Sequence, residues 1–211
     1  MQQERVEFDS GEFKLEGILD VPSPAHLSGA GVVVCHPHPQ YGGTMENNVT
    51  RAVSKALVDR GIQSLRFNFR GVGKSQGSFA HGKGEVDDAL AALSYLAQLE
   101  SINYFQLGLA GYSFGGAIAL EAGLLEEKVK ALAAVSPAGL PSFTGSTKPR
   151  FIVSGEKDDL IPPSSLLQYR QDVEGEGKGS IKIIEGADHF WAARKYRAAE
   201  MIAEFFEACL I

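Results

Sequence analysis

Short runs of apolar residues alternate with segments of helical spacing from residue 31 onward. Runs of this length are typical of strands buried on both faces, and the segments between them place apolar residues three or four positions apart. The predicted strands are Val32–Cys35, Ile62–Phe67, Gln106–Ala110, Val129–Val135, Phe151–Ser154 and Ile181–Ile184. The predicted helices span 45–60, 84–99, 114–125, 163–173 and 190–209. This alternation predicts an α/β fold, with a mostly parallel sheet and helices on both of its faces.

The first 21 residues follow a different pattern. Arg5–Phe8 and Lys14–Val21 alternate between apolar and polar positions around Ser10-Gly11, which is typical of a β-hairpin. We therefore expect an antiparallel pair at one edge of the sheet. The glycine-rich stretch 175–179 is too short to link two domains, so residues 1–211 are predicted to form a single domain.

Composition and charge argue against several classes of protein. The net charge of −6, without a run of Lys and Arg, argues against a nucleic-acid surface. The polar N-terminus, MQQERVEFDS, does not resemble a signal peptide, and no apolar stretch reaches the roughly 18 residues of a membrane span. Cys35 and Cys209 are interpreted as reduced thiols. These features favour a globular protein of the cytoplasm with neither a nucleic-acid nor a membrane partner, and they leave the oligomeric state open.

The candidate chemistry begins at residues 111–116, GYSFGG, which contain the pattern G-x-S-x-G. The pattern alone is weak evidence in a chain with 24 glycines. Here it follows a predicted strand and opens a predicted helix, which is the setting of a nucleophile elbow. A serine at the tip of such a turn has a strained backbone, and the glycines beside it avoid clashes with the neighbouring strand and helix. Ser113 is thus the predicted nucleophile.

A serine hydroxyl is a poor nucleophile without a base, and the chain contains five histidines. Proteins with a nucleophile elbow carry their triad in the order serine, acid, histidine. Only His189 follows Ser113, and it comes after the strand predicted at Ile181–Ile184. Asp158, shortly after the preceding predicted strand, is the predicted acid, with Asp159 as the alternative. Because functional groups gather at the carboxyl edge of a parallel sheet, the three side chains are expected to meet there.

Two backbone N–H groups are predicted to form an oxyanion hole. One is that of Phe114, directly after the nucleophile, and the other comes from the segment 36–43 after the first parallel strand. The two prolines of this segment have no N–H, so His38, which lies between them, is the first choice. Gln40 and Tyr41 are the alternatives.

Two other interpretations of nearby residues carry less weight. His36 and His38 are two apart on an extended segment and could share a metal ion, but no third ligand is evident nearby. The sequence Gly73-Lys74-Ser75 looks like the end of a phosphate-binding P-loop, but the full pattern requires a glycine where this chain has Asn68. We therefore expect neither a metal nor a nucleotide.

Five sequence blocks carry a resemblance to a known family: HPHPQYGGTMENN at 36–48, RFNFRGVGKSQG at 66–77, GYSFGG at 111–116, GEKDDLIP at 155–162 and GADHFW at 186–191. With them the chain resembles the α/β-hydrolase superfamily, and within it the short, lidless bacterial hydrolases that carry HPHP-x-x-GGTM-x-N after the first parallel strand. Dienelactone hydrolases and acyl-peptidase-like hydrolases are similar neighbours, although the former use cysteine as nucleophile. The resemblance implies Ser113, Asp158 and His189 as the catalytic triad.

These observations predict a serine hydrolase that cleaves an ester, thioester or amide of a small molecule or peptide through an acyl-enzyme, without a cofactor. Only residues 138–149 separate two strands where a lid is often inserted, so an open, shallow site is expected. Its predicted lining consists of Tyr41, Tyr112, Phe143, Phe190 and Trp191. The alternative is a non-catalytic ligand-binding module on the same fold.

Overall fold

Strands and helices alternate along the chain after an N-terminal hairpin. The structure is a computed structural model and describes residues 2–211. Its strands are β1 (Gln2–Ser10), β2 (Phe13–Val21), β3 (Gly31–Cys35), β4 (Gln63–Phe67), β5 (Leu107–Tyr112), β6 (Val129–Val135), β7 (Arg150–Gly155) and β8 (Gly179–Ile184). Its helices are α1 (Asn48–Asp59), α2 (Lys83–Ala97), α3 (Phe114–Leu125), α4 (Pro163–Leu167), α5 (Arg170–Glu174) and α6 (Lys195–Leu210).

All eight strands form one sheet in the order β1-β2-β4-β3-β5-β6-β7-β8. β1 pairs antiparallel with β2 from Gln2↔Val21 to Ser10↔Phe13, and β2 pairs antiparallel with β4. The other neighbours pair in parallel. The predicted hairpin at the edge of a mostly parallel α/β sheet is therefore confirmed.

Helices cover both faces of the sheet. α2 and α3 pack on one face, where their apolar residues join a core cluster with the side chains of that face. α1 and α6 pack together on the other face. The predicted inward face of α1, formed by Val49, Val53, Ala56 and Leu57, is fully buried. The strands between the helices are almost entirely buried, which explains their continuous apolar runs.

Two helix predictions need correction. The helix predicted over 163–173 is two short helices, α4 and α5, separated at Gln168 and Tyr169. The helix predicted over 190–209 begins only at Lys195, because Trp191 has a positive φ of 56° that a helix cannot contain. Residues 186–194 form a turn instead, and this turn carries His189.

Both cysteines are free: Cys35 is buried in β3 and Cys209 is half-buried near the end of α6. Burial raises the pKa of both thiols. None of the helices within residues 2–211 is both long and apolar enough to cross a membrane.

Candidate active site

Ser113 occupies the sharp turn between β5 and α3. Its backbone has φ 54° and ψ −121°, a conformation that L-amino acids rarely adopt. Glycines are required on both sides of it because the backbone there lies very close to neighbouring backbone carbonyl oxygens. A Cβ on Gly111 would lie 2.1 Å from the Gly115 carbonyl oxygen, and a Cβ on Gly115 would lie 2.2 Å from the carbonyl oxygen of His36. The sequence GYSFGG thus folds into a strained turn that presents the serine hydroxyl at the carboxyl edge of the sheet.

The structure brings Ser113, His189 and Asp158 together at this edge. The His189 Nε2 lies 3.1 Å from the Ser113 Oγ, and the His189 Nδ1 lies 2.8 Å and 3.0 Å from the two carboxylate oxygens of Asp158. Asp158 and His189 are buried and Ser113 is half-buried. Asp159, the alternative acid, is exposed. The three side chains come from the ends of β5, β7 and β8 and form one continuous chain of hydrogen bonds.

Three donors hold the Asp158 carboxylate. Besides His189, they are the N–H groups of Leu160 and Ile161, at 3.2 Å and 2.7 Å from Oδ1, and the buried hydroxyl of Ser136 lies beside the carboxylate. Burial alone would raise the pKa of Asp158, but the hydrogen bonds from His189 and Ile161, together with the Ser136 hydroxyl, outweigh it and lower the pKa below the usual 3.8. Asp158 is therefore ionised at neutral pH and oriented toward the imidazole.

The loop that carries His189 is fastened to its neighbours. The Ala187 carbonyl accepts a 2.8 Å hydrogen bond from the Lys157 N–H, and a Cβ on Gly155 would lie only 2.4 Å from that same oxygen. The Tyr112 hydroxyl donates a 2.7 Å hydrogen bond to the His189 carbonyl. The base is thus held through its backbone as well as through its ring.

Ser136 and Trp191 form a further contact behind the triad. The indole Nε1 of Trp191 donates a 3.1 Å hydrogen bond to the Ser136 Oγ, and both residues are fully buried. Both also have positive φ, 42° at Ser136 and 56° at Trp191. Sequence reasoning did not single out Ser136. The available signal was its place directly after β6, between the nucleophile strand and the strand that leads to the acid.

The segment after β3 leaves one backbone donor free beside the nucleophile. The Gln40 N–H donates to the His38 Nδ1 at 3.2 Å, and the Tyr41 N–H donates to the His38 carbonyl at 3.1 Å. Both alternatives to His38 are therefore already engaged. Within residues 2–211, neither the His38 N–H nor the Phe114 N–H donates to a protein acceptor.

His36 has a different role from the metal ligand considered above. Its Nδ1 lies 2.6 Å from the Pro37 carbonyl oxygen, and its Nε2 accepts a 3.1 Å hydrogen bond from the Phe69 N–H. Both ring nitrogens are occupied in a fully buried site, and burial lowers the pKa of the ring from 6.5 to about 4. His36 is therefore neutral and joins the end of β3 to the segment after β4.

The block that looks like a P-loop is an internally bonded turn. The Lys74 N–H donates to the Glu16 carboxylate at 2.8 Å, and the Ser75 hydroxyl donates to the Asn68 carbonyl at 2.7 Å. The Arg70 guanidinium is paired with Asp88. The Lys74 N–H and the Ser75 hydroxyl, two of the groups that would serve nucleotide binding in a P-loop, are bonded within the fold here.

A cavity of about 270 Å³ opens at Ser113 and His189. The other residues that line it are Pro37, His38, Tyr41, Phe114, Ala138, Leu160 and Ile161. Residues 138–149 form an irregular loop without a helix, and Ala138 at its start lines the cavity. Tyr41 is 87% exposed and Leu160 is 61% exposed, so the rim of the cavity is apolar and open to solvent.

The predicted lining is corrected at four of its five positions, and only Tyr41 lines the cavity. Tyr112 and Trp191 are buried behind the triad, where their polar atoms bond to the His189 carbonyl and to Ser136. Phe143 is buried in the core, with the Arg150 guanidinium 4.8 Å from its ring centroid. Phe190 is 63% exposed, with its ring 5.8 Å from the ring of His189, and lies outside the cavity wall.

Solved structures of similar fold define the class of protein. An α/β serine hydrolase homologue from Coxiella burnetii is 31% identical, with a TM-score of 0.85 over 97% of each chain. A lidless α/β serine hydrolase from Xanthomonas campestris is 28% identical, with a TM-score of 0.86 over 99% of this chain and 95% of that one. The fold is that of the α/β serine hydrolases.

Sequence comparison identifies the family. Residues 29–144 match the family model described as serine aminopeptidase, S33. The protein RP471 of Rickettsia prowazekii is 33% identical, over 95% of this chain and 87% of the relative. The chain belongs to the S33 serine aminopeptidase family of the α/β-hydrolase superfamily.

Proposed function

We propose that the chain is a serine hydrolase of the carboxylesterase type, with Ser113, His189 and Asp158 as its catalytic triad. The observation that carries this proposal is the unbroken chain of hydrogen bonds from the Ser113 hydroxyl to a buried, ionised carboxylate. Such an arrangement lets an imidazole take the hydroxyl proton as the oxygen attacks a carbonyl. The strained turn supports the proposal, because it keeps the hydroxyl at the cavity.

The proposed mechanism has two half-reactions. In the first, His189 removes the Ser113 proton while Oγ attacks the acyl carbon, and the protonated imidazole then gives that proton to the departing alcohol, thiol or amine. In the second, His189 takes a proton from water as the water oxygen attacks the acyl-enzyme, and the imidazolium returns that proton to the Ser113 Oγ when the acid departs. Asp158 stabilises the imidazolium in both half-reactions.

The proposed oxyanion hole consists of the N–H groups of Phe114 and His38. Within residues 2–211, these two N–H groups donate to no protein acceptor, whereas the N–H groups of Gln40 and Tyr41 both donate to His38. Both residues also line the cavity that holds Ser113. Fixed N–H donors of this kind stabilise the negative charge that develops on the carbonyl oxygen, and each is typically worth about 10²–10³ in turnover.

The cavity favours a short, uncharged acyl group. Its volume of about 270 Å³ is small, and its walls are apolar apart from Tyr41, Ser113 and the two histidines. An aminopeptidase, as in the family's description, must instead bind a free ammonium group beside the scissile carbonyl. Asp158 is engaged with His189, and Asp188 accepts a hydrogen bond from the Trp191 N–H. We therefore propose ester or thioester substrates with neutral acyl groups.

Two near-isosteric esters test this choice. The p-nitrophenyl esters of isobutyrate and of alanine differ by a methyl group in place of an ammonium group. We expect kcat/KM to favour isobutyrate by about 100-fold, since a desolvated ammonium without a partner is strongly disfavoured. Equal or faster cleavage of the alanine ester would support the aminopeptidase interpretation instead.

The triad assignment has its own test. Ser113→Ala should abolish ester hydrolysis and labelling by a fluorophosphonate, and the wild-type protein should be labelled at Ser113. A wild-type protein that resists labelling and cleaves none of the esters would support the alternative, a non-catalytic ligand-binding module.

A further inference from the structure

Three non-glycine residues with positive φ surround the candidate active site. They are Ser113, Ser136 and Trp191. Strained backbone of this kind persists only where surrounding contacts enforce it, and it clusters at functional sites. The strain at Ser113 presents the nucleophile. The strain at the other two residues brings the indole Nε1 and a serine hydroxyl together at 3.1 Å.

Ser136 lies between the strands that carry the nucleophile and the acid. Its N–H donates a 2.7 Å hydrogen bond to the Val153 carbonyl in β7, and the Ser113 N–H donates a 2.9 Å hydrogen bond to the Val135 carbonyl in β6. The Ser136 side chain is fully buried, and its hydroxyl lies beside the Asp158 carboxylate and helps to lower the pKa of that group. Because an ionised carboxylate only accepts hydrogen bonds, the hydroxyl can act toward it only as a donor.

Trp191 determines which way that hydroxyl points. The indole N–H can only donate, so it occupies a lone pair of the Ser136 Oγ and leaves the hydroxyl proton for Asp158. Trp191 also ties the turn of residues 186–194 to the start of α6: its N–H bonds to the Asp188 side chain at 2.8 Å, and its carbonyl accepts from the Lys195 N–H at 2.8 Å. Ser136 therefore lies between the Asp158 carboxylate and Trp191, and Trp191 belongs to the turn that carries His189.

We propose that Ser136 and Trp191 are positioning residues, which act as one unit to hold the Asp158 carboxylate in line with His189. The proposal rests on the proposed function, because positioning matters only if the triad is catalytic. The effect should appear in turnover rather than in substrate binding, since neither residue lines the cavity.

Ser136→Ala removes one hydroxyl and keeps the Cβ. We expect it to lower kcat about tenfold with KM within about twofold of wild type, as for a lost hydrogen bond to a charged group. Ser154→Ala is the matched control: Ser154 is a buried serine at the end of β7 whose hydroxyl has no hydrogen-bond partner within residues 2–211. Its kcat and KM should equal those of the wild type.

A double-mutant cycle tests whether the two residues act as a unit. Trp191→Phe should lower kcat about threefold, and the double variant should equal Ser136→Ala alone, because the indole acts through the hydroxyl that is already missing. The downfield proton resonance of the His189 Nδ1–H should shift in both single variants and stay in place in Ser154→Ala.

Three outcomes would overturn the proposal: a kcat for Ser136→Ala within twofold of wild type, a loss carried by KM, or effects of the two substitutions that multiply. Ser113→Ala separates this failure from failure of the proposed function. If that variant retains full activity, the triad assignment is wrong; if it is inactive and Ser136→Ala is unaffected, only the positioning role is wrong. Thermal unfolding of each variant verifies that it is folded.

Discussion

The buried imidazole of His36 should make the stability of the protein depend on pH. Its pKa is lowered by burial from 6.5 to about 4, and both of its nitrogens are hydrogen-bonded in the neutral form. Between these two pH values the unfolded chain binds a proton that the folded chain does not. The stabilisation is therefore complete above about pH 6.5 and is lost as the pH falls toward 4.

The magnitude follows from the two pKa values. The linkage relation gives a loss in the free energy of unfolding of about 2.5 kcal/mol between about pH 7.5 and 4.5. Trp191, the single tryptophan, is fully buried and can report unfolding in urea by its fluorescence. His36→Gln removes the titrating ring, so this variant should lose about 2.5 kcal/mol less than the wild type over that range, whatever its stability at neutral pH.

A second histidine provides the control. His26 is exposed on the short 3₁₀ turn Pro24–His26, so His26→Gln should leave the wild-type pH dependence unchanged. If the wild type and His36→Gln lose stability in parallel on acidification, the imidazole is not held neutral by the fold and the argument from burial is refuted.

Three more substitutions test the site. Asp158→Asn should keep the fold but lower kcat by about 10⁴, as for other triads, measured with a p-nitrophenyl ester. Gly115→Ala should yield little folded protein, judged by circular dichroism, because its Cβ would lie 2.2 Å from a backbone carbonyl oxygen just after β3. Tyr112→Phe leaves the buried His189 carbonyl without its donor and should lower the free energy of unfolding by about 1–2 kcal/mol. The Tyr95 hydroxyl makes no hydrogen bond within residues 2–211, so Tyr95→Phe should change the free energy of unfolding little. Equal losses of stability in Tyr112→Phe and Tyr95→Phe would contradict this reasoning.

The order of strands and helices was predictable because it depends on local pattern. Buried parallel strands must be apolar throughout, and the helices between them must be apolar on one face, so both leave a direct trace in the sequence. The candidate nucleophile was predictable for a similar reason. The turn at Ser113 requires glycines where its backbone comes close to other backbone atoms, and Gly111 and Gly115 can be recognised directly in the sequence.

The surroundings of the site were less predictable, because burial is a tertiary property. Tyr112 and Trp191 are neighbours in sequence of the nucleophile and the base, and were predicted to line the pocket for that reason. Neither residue lines the cavity; the Tyr112 hydroxyl bonds to the His189 carbonyl, and the Trp191 Nε1 bonds to the Ser136 hydroxyl. Whether an aromatic side chain faces a substrate or supports a loop depends on which neighbouring groups need a donor, and sequence proximity does not contain that information.

A long loop that carries a base must be fixed by donors if the base is to stay within hydrogen-bond reach of its nucleophile. His189 lies on a turn that follows the edge strand β8, where the sheet constrains it from one side only. Phenol and indole groups combine a large apolar surface with a single polar atom, so each can fill the core and still bond to one backbone or side-chain oxygen. This explains why Tyr112, next to Ser113, and Trp191, two residues after His189, are aromatic although they are buried. Tyr112 and Trp191 thus support the turn that carries His189, whereas the exposed Tyr41 and Leu160 lie at the rim of the cavity.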